Sequence, residues 1–165
     1  NNFVYYFKQN DKIKLLLKIY NFLHNKNIEI CLGQHYDLNF KNLNKYKQTL
    51  YNLNLKTIPL FSICFIIPYM VKKEIPEDMY NHLEKIAENF SYMFQICDDL
   101  EDYENDKQKN LNNHILFFGR KQTIVIYENS KVLFNKLLKQ CNIEDIFFDE
   151  LLIYLNNKYK KYKDG

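Results

Sequence analysis

"KKEIPEDMYNHLEKIAENFSYMFQICDDLEDYEND", residues 72–106, decides the fold. Pro76 followed by Glu77 and Asp78 is a helix start. Proline suits the first turn, where its missing N–H is no loss, and carboxylates favour the positive end of the helix dipole. From there Met79, Leu83, Ile86, Phe90, Met93, Ile96 and Leu100 step by three and four, which puts them on one face of an α-helix. The spacing predicts a helix to about Asp102. Its end is crowded with charge: six Asp or Glu residues lie within positions 98–106. Gln95, Asp98, Asp99 and Asp102 line one side of the last two turns. Carboxylates at the negative end of the dipole are unfavourable, and like charges one turn apart cost about 0.2–0.5 kcal/mol more. A charged helix end in water tolerates this. A bound Mg²⁺ would reverse it, since that ion takes one or two carboxylates and completes its octahedron with water and phosphate.

The rest of the chain reads as helix too. Ile13, Leu16, Leu17, Ile19, Tyr20 and Leu23 form a wide apolar stripe that resumes at Ile28, Ile30 and Leu32 and runs to about Leu38. Residues 39–44 read as a loop. A helix from about Lys45 should kink near Pro59 and end at Pro68. "NDKQKNLNNH", residues 105–114, reads as a loop. Helices follow from about Arg120 to Gln140 and from Ile143 to Tyr162. No segment alternates with the period of a strand. The expected architecture is all-α, one helical domain over residues 1–165 built from long antiparallel helices.

Composition agrees. The 165 residues are 47% hydrophobic and 16% aromatic, enough for a real core, and three Gly with three Pro are too few for a turn-rich β fold. The net charge is +3, Arg120 is the only arginine, and only Lys158 to Lys163 cluster lysines, which argues against a nucleic-acid binder. Ile58 to Val71 is the most apolar stretch. It is shorter than the roughly 20 residues of a membrane span and contains Pro59, Ser62 and Pro68, so it reads as a buried core helix and not as a transmembrane segment. Cys31, Cys64, Cys97 and Cys141 show no paired spacing and read as buried free thiols of a reducing, cytoplasmic or organellar compartment. His24, His35, His82 and His114 lack any ligand spacing and read as surface residues or supports.

Two further stretches carry polar residues in apolar settings. In "CLGQHYDL", residues 31–38, Gln34 and Asp37 stand beside Leu32 and Leu38. They either turn outward or need buried partners. In "YNLNLKTIPLF", residues 51–61, Lys56 and Thr57 precede the apolar helix. Lys56 is a surface lysine or one that faces an anion.

In this order and spacing the stretches resemble the trans-isoprenyl diphosphate synthases, which include the farnesyl and geranylgeranyl diphosphate synthases. "FQICDDLED" is similar to their second aspartate-rich motif, with Phe94, Gln95, Asp98, Asp99 and Asp102 in place. "GQHYDL" resembles their GQ-x-x-DL segment, and Tyr51 with Lys56-Thr57 their Y-x-x-x-x-KT helix. "GRKQTIVI", residues 119–126, resembles the segment with a further diphosphate-binding lysine, here Lys121, or Arg120 with a shift of one. The ending "NNKYKKYK" is like a farnesyl diphosphate synthase tail.

The resemblance implies an isoprenoid-synthase-like bundle, Mg²⁺ as cofactor and a transferase of isoprenoid biosynthesis. It condenses isopentenyl diphosphate with an allylic diphosphate to farnesyl or geranylgeranyl diphosphate, as a homodimer. It further implies that Asp98 is the principal metal ligand, completed or oriented by Asp99 and Asp102. Lys56 and Lys121 would bind the allylic diphosphate, and Thr57 and Gln95 would act near the reacting carbon. Gln34 and Asp37 would lie in the same pocket, and the allylic cation would need a dry apolar chamber.

Departures are equally plain. Only 33 residues precede Gln34, and none resembles the family's first aspartate-rich motif. The paired arginines for isopentenyl diphosphate have no counterpart. Asn112 stands where a further lysine is usual, for which Lys107 or Lys109 could substitute, and Asn113-His114 falls where an Asp is usual. The chain is also short between Lys121 and the basic tail. The expectation is therefore the C-terminal part of a larger domain, inactive alone. The alternatives are a non-catalytic regulatory subunit of a prenyltransferase and a helical interaction protein.

Overall fold

The computed structural model describes residues 9–39, 53–72, 75–143 and 146–163. Within them every regular element is a helix: α1 (Gln9–Asn39), a π turn (Leu53–Thr57) leading into α2 (Ile58–Lys72), α3 (Glu77–Glu101), α4 (Tyr103–Lys109), α5 (His114–Phe118), α6 (Arg120–Gln140) and α7 (Ile146–Tyr162). The expected loop at residues 39–44 and the start of a helix near Lys45 lie outside the described residues, apart from Asn39 itself, which closes α1.

α3 is the hub, and its boundaries match the sequence reading, with Pro76 before its first residue and Asp102 after its last. Leu83, Ile86, Phe90, Met93, Ile96 and Leu100 are buried as their spacing required, and Ala87, Ser91, Cys97 and Asp99 are buried as well. The helix is thus covered on most of its circumference. α2 runs antiparallel to it, with Thr57 facing Gln95 and Phe65 facing Phe90. α6 is also antiparallel, with Phe134 against Phe90. α1 and α7 run parallel to α3, shown by Phe22 on Tyr80 and Lys26 on Glu84, and by Cys97 and Glu101 meeting Leu155 and Tyr162. Neighbours in sequence are therefore antiparallel, and the outer pair is not. The core's centre is aromatic: Phe90 lies 4.7 Å from Phe61, 5.3 Å from Phe65 and 5.8 Å from Phe134, ring centre to ring centre. The first two meet edge to face, and contacts of this kind add about 0.5–1.5 kcal/mol each beyond burial.

Neither proline of this stretch breaks the helix. Pro59 sits in the first turn of α2, where the π turn passes into α-helix without a gap, so the chain is not broken there. Pro68 does not end the helix: α2 continues to Lys72. Its ring lies on the exposed side with Cys64, the residue whose carbonyl it leaves without a partner, so water can take that bond. The apolar stretch is buried on one face only, at Pro59, Ser62, Phe65 and Ile66. Asn54–Lys72 is long and apolar enough to cross a membrane, by length and composition alone.

Two other expectations are corrected. Residues 105–109 are not loop; they finish the short helix α4, which ends at Asn110 in the left-handed conformation with φ 53°. All four cysteines are free, but only Cys97 is buried; Cys31 and Cys64 are exposed because they fall on the outer faces of α1 and α2. Burial pushes the Cys97 thiol up to about 12.

α1 meets the π turn at Gly33. A β-carbon there would come within 2.8 Å of the Leu55 carbonyl carbon and 2.9 Å of its oxygen, both backbone atoms that cannot swing aside. Gly33→Ala should therefore destabilise the chain by about 1–3 kcal/mol, although alanine is the better helix former. Equal or higher stability in urea denaturation would show that the helix and the turn are not so close.

Candidate functional site

The C-terminal end of α3, the π turn and the α5 turn meet at one place. The π turn carries Lys56 and Thr57, and such turns within helices are frequent at functional positions. Thr57 is buried; its hydroxyl donates to Gln95 Oε1 at 3.2 Å. Gln95 Nε2 donates to Asp99 Oδ1 at 2.8 Å. The other oxygen of Asp99 accepts the His114 backbone N–H at 2.6 Å, and His114 Nδ1 lies 2.6 Å from the same atom. Asn113 Nδ2 donates to the Asp99 carbonyl at 2.7 Å and to Asp106 at 3.0 Å. Its Oδ1 caps α5 by accepting from Ile115 N–H at 2.9 Å. Thr57, Gln95, Asp99 and His114 thus form one continuous hydrogen-bonded chain. Asp99 is 4% exposed, so both its oxygens are satisfied from within the protein.

Asp98 points elsewhere. One residue on, a helix side chain turns by roughly 100°, and Asp98 faces α7. Lys158 Nζ donates to its Oδ1 at 2.6 Å and reaches Glu101 Oε2 at 2.8 Å. Burial pushes the Asp98 carboxyl up, with Lys158 pulling against it. Burial also opposes the charge on Lys158, but its bonds to Asp98 and Glu101 outweigh that and hold the ammonium well above the ordinary lysine value. Asp102 is exposed at the junction of α3 and α4.

The remaining predicted residues scatter. Gln34 is half-buried, next to the Gly33 contact with the π turn. Asp37 lies on α1, and its side chain is outside the described residues. Lys121 is exposed in the first turn of α6. Arg120 beside it is committed to structure, donating to the carbonyls of Tyr162 and Lys163 at 3.0 and 2.9 Å. The sequence spacing does not mark the Asn113-His114 pair or Lys158 as site residues. An Asn just ahead of the apolar run Ile115 to Phe118 is a helix-cap signal that could have found Asn113, whereas the partner of Lys158 lies 60 residues away.

A cavity of about 440 Å³ lies between α1, α2 and α3, but its walls are polar: Lys26, Glu29, Asn54, Asn81, Glu84, Lys85 and Glu88 with Ile58 and Ser62. It is not the dry apolar chamber that the resemblance implies. Nor does the acidic end hold out a cation site as folded. Among the described residues no group of three or more His, Cys, Asp or Glu side chains could hold a metal ion. Asp98 holds an ammonium, and Asp99 is spent on Gln95 and His114.

An all-helical bundle whose central helix ends in a paired-aspartate motif, beside a Lys-Thr turn, defines an isoprenoid-synthase type of domain. The sequence profile of the polyprenyl synthetase family matches residues 3–115, more than half of the chain. The chain belongs to that family. It is 28% identical over 96 residues to a trans-prenyltransferase of African swine fever virus, and equally so to the same enzyme of a second isolate. Each alignment covers 58% of this chain and 29% of the relative, so the chain matches less than a third of those relatives' length. No solved structure matches it.

Proposed function

We propose that the chain is the C-terminal part of a larger prenyltransferase domain of isoprenoid biosynthesis, in which its π turn and α3 bind the diphosphate of an allylic substrate. The carrying observation is the ordered Thr57–Gln95–Asp99 chain beside Lys56. Departure of a diphosphate needs positive charge in fixed places, because preorganised charge costs no rearrangement as the bond breaks. Lys56 and Lys121 supply it. Thr57 and Gln95, locked in orientation, present fixed dipoles near the carbon that becomes cationic, which isopentenyl diphosphate then attacks. Farnesyl or geranylgeranyl diphosphate is the product of this reading.

Magnesium, which this family generally uses, would supply charge neutralisation at the leaving diphosphate, with Asp98, Asp99 and Asp102 as ligands. The folded arrangement does not present these three together, so no step here runs through a metal. The outer face of α1 exposes Ile13, Leu16, Leu17 and Tyr20, a surface suited to further helices of a larger domain and to a homodimer. Four free thiols suit a cytoplasmic setting.

A second reading, a non-catalytic subunit of a prenyltransferase, is favoured by one observation: Asp98 and Asp99 of the motif are already paired within the chain. Inorganic diphosphate tests the first. At a hundred times its dissociation constant it should stabilise the chain by about 2.7 kcal/mol, and Lys56→Ala with Lys121→Ala should abolish the shift in melting temperature. No shift in the wild type, or an unchanged shift in the double variant, would sink the assignment. Turnover of isopentenyl diphosphate with an allylic diphosphate by the full-length protein then separates enzyme from subunit.

A further inference from the structure

The acidic motif already has a cation, and it belongs to the chain. Lys158 Nζ sits 2.6 Å from Asp98 and 2.8 Å from Glu101, at charge-assisted hydrogen-bond distance from both. Its side chain is 17% exposed, unusually low for a lysine. The contact is built rather than incidental. α7 is fastened to α3 on both sides of Lys158: the Leu155 carbonyl accepts from the Cys97 thiol at 3.5 Å, and Tyr162 donates to Glu101 at 3.0 Å. Tyr159 stacks on Tyr127 with ring centres 3.8 Å apart. Arg120 caps the last carbonyls of the helix.

We propose that Lys158 is the resident cation of the aspartate motif, occupying Asp98 in place of a divalent ion, so that the motif is neutralised without metal and takes one up there tightly only when Lys158 is removed. The acidic end of α3 sits at the negative pole of its dipole, and an ammonium fixed by helix packing offsets that charge as a metal would. The Thr57–Gln95–Asp99 chain lies on the other side and is untouched by it. The inference concerns the acidic motif of the proposed reading, but its readout is cation binding and not diphosphate binding or turnover, so the two fail separately.

The probe is Mn²⁺, followed by water proton relaxation on the whole chain. The wild type and Lys158→Arg should bind it weakly. Lys158→Met should bind at least tenfold more tightly, and adding Asp98→Asn should cancel the gain. Equal affinity of wild type and Lys158→Met overturns the proposal, as does a gain that survives Asp98→Asn. Should Lys158→Met fail to fold, the wild type still decides. Acetylation followed by mass spectrometry should modify Lys158 at least fivefold more slowly than exposed Lys160, and equal rates overturn it.

Discussion

Phe90→Ala should cost about 3–5 kcal/mol, the range for truncating a buried phenylalanine to alanine. Phe90 is 2% exposed and lies among the rings of Phe61, Phe65 and Phe134. Those rings come from α2 and α6, so the cavity left behind opens at the junction of three helices. It cannot collapse without shifting one of them against α3. Domains of this size are stable by about 5–15 kcal/mol, so a large share of the total is at stake. Urea denaturation should show a midpoint drop with a similar slope. Val132→Ala, at a position 66% exposed, should stay within about 0.5 kcal/mol of wild type. A Phe90→Ala cost under about 1 kcal/mol would mean that the aromatic centre is not packed as described.

The second large effect belongs to Asp99, and it runs against the order that the motif suggests. Asp99→Ala leaves Gln95 Nε2, the His114 backbone N–H and His114 Nδ1 without their acceptor in a buried place. Each unsatisfied buried group costs about 1–3 kcal/mol, and the sum should be about 3 kcal/mol or more. Asp99→Asn should lose most of the same stability, because its amide presents donors where donors already point. Asp98→Ala removes an ion pair whose carboxylate is 34% exposed, worth about 0–1 kcal/mol. Melting of the two alanine variants side by side is the check. If Asp98→Ala proves the more damaging, the hydrogen-bonded role given to Asp99 is wrong.

The fold was legible because it rests on local signals. Pro76 with two acidic residues, and seven apolar residues spaced by three and four, define α3 without any long-range information. The same holds for α6, predicted from about Arg120 to Gln140 and found there. Pro68 misled because a proline's effect depends on whether its orphaned carbonyl meets water, which only the tertiary exposure of that side decides. Cys31 and Cys64 misled for a related reason. Their neighbours are apolar, but the outer faces of α1 and α2 are left uncovered in this chain.

The site was legible by type and not by partner. Spacing placed Gln95, Asp98, Asp99 and Asp102 on two turns of one helix, and the resemblance added Lys56, Thr57 and Lys121. Hydrogen bonding then divided the two adjacent aspartates between different elements, Asp99 to α5 and Asp98 to α7. By itself the sequence determined the helices, their apolar faces and the family's motif, because these depend on residues within a few turns of one another. Only the tertiary structure decided what the carboxylates hold. His114 and Lys158 lie 15 and 60 residues away from them, and nothing short of the folded packing of α5 and α7 against α3 brings them within bonding distance.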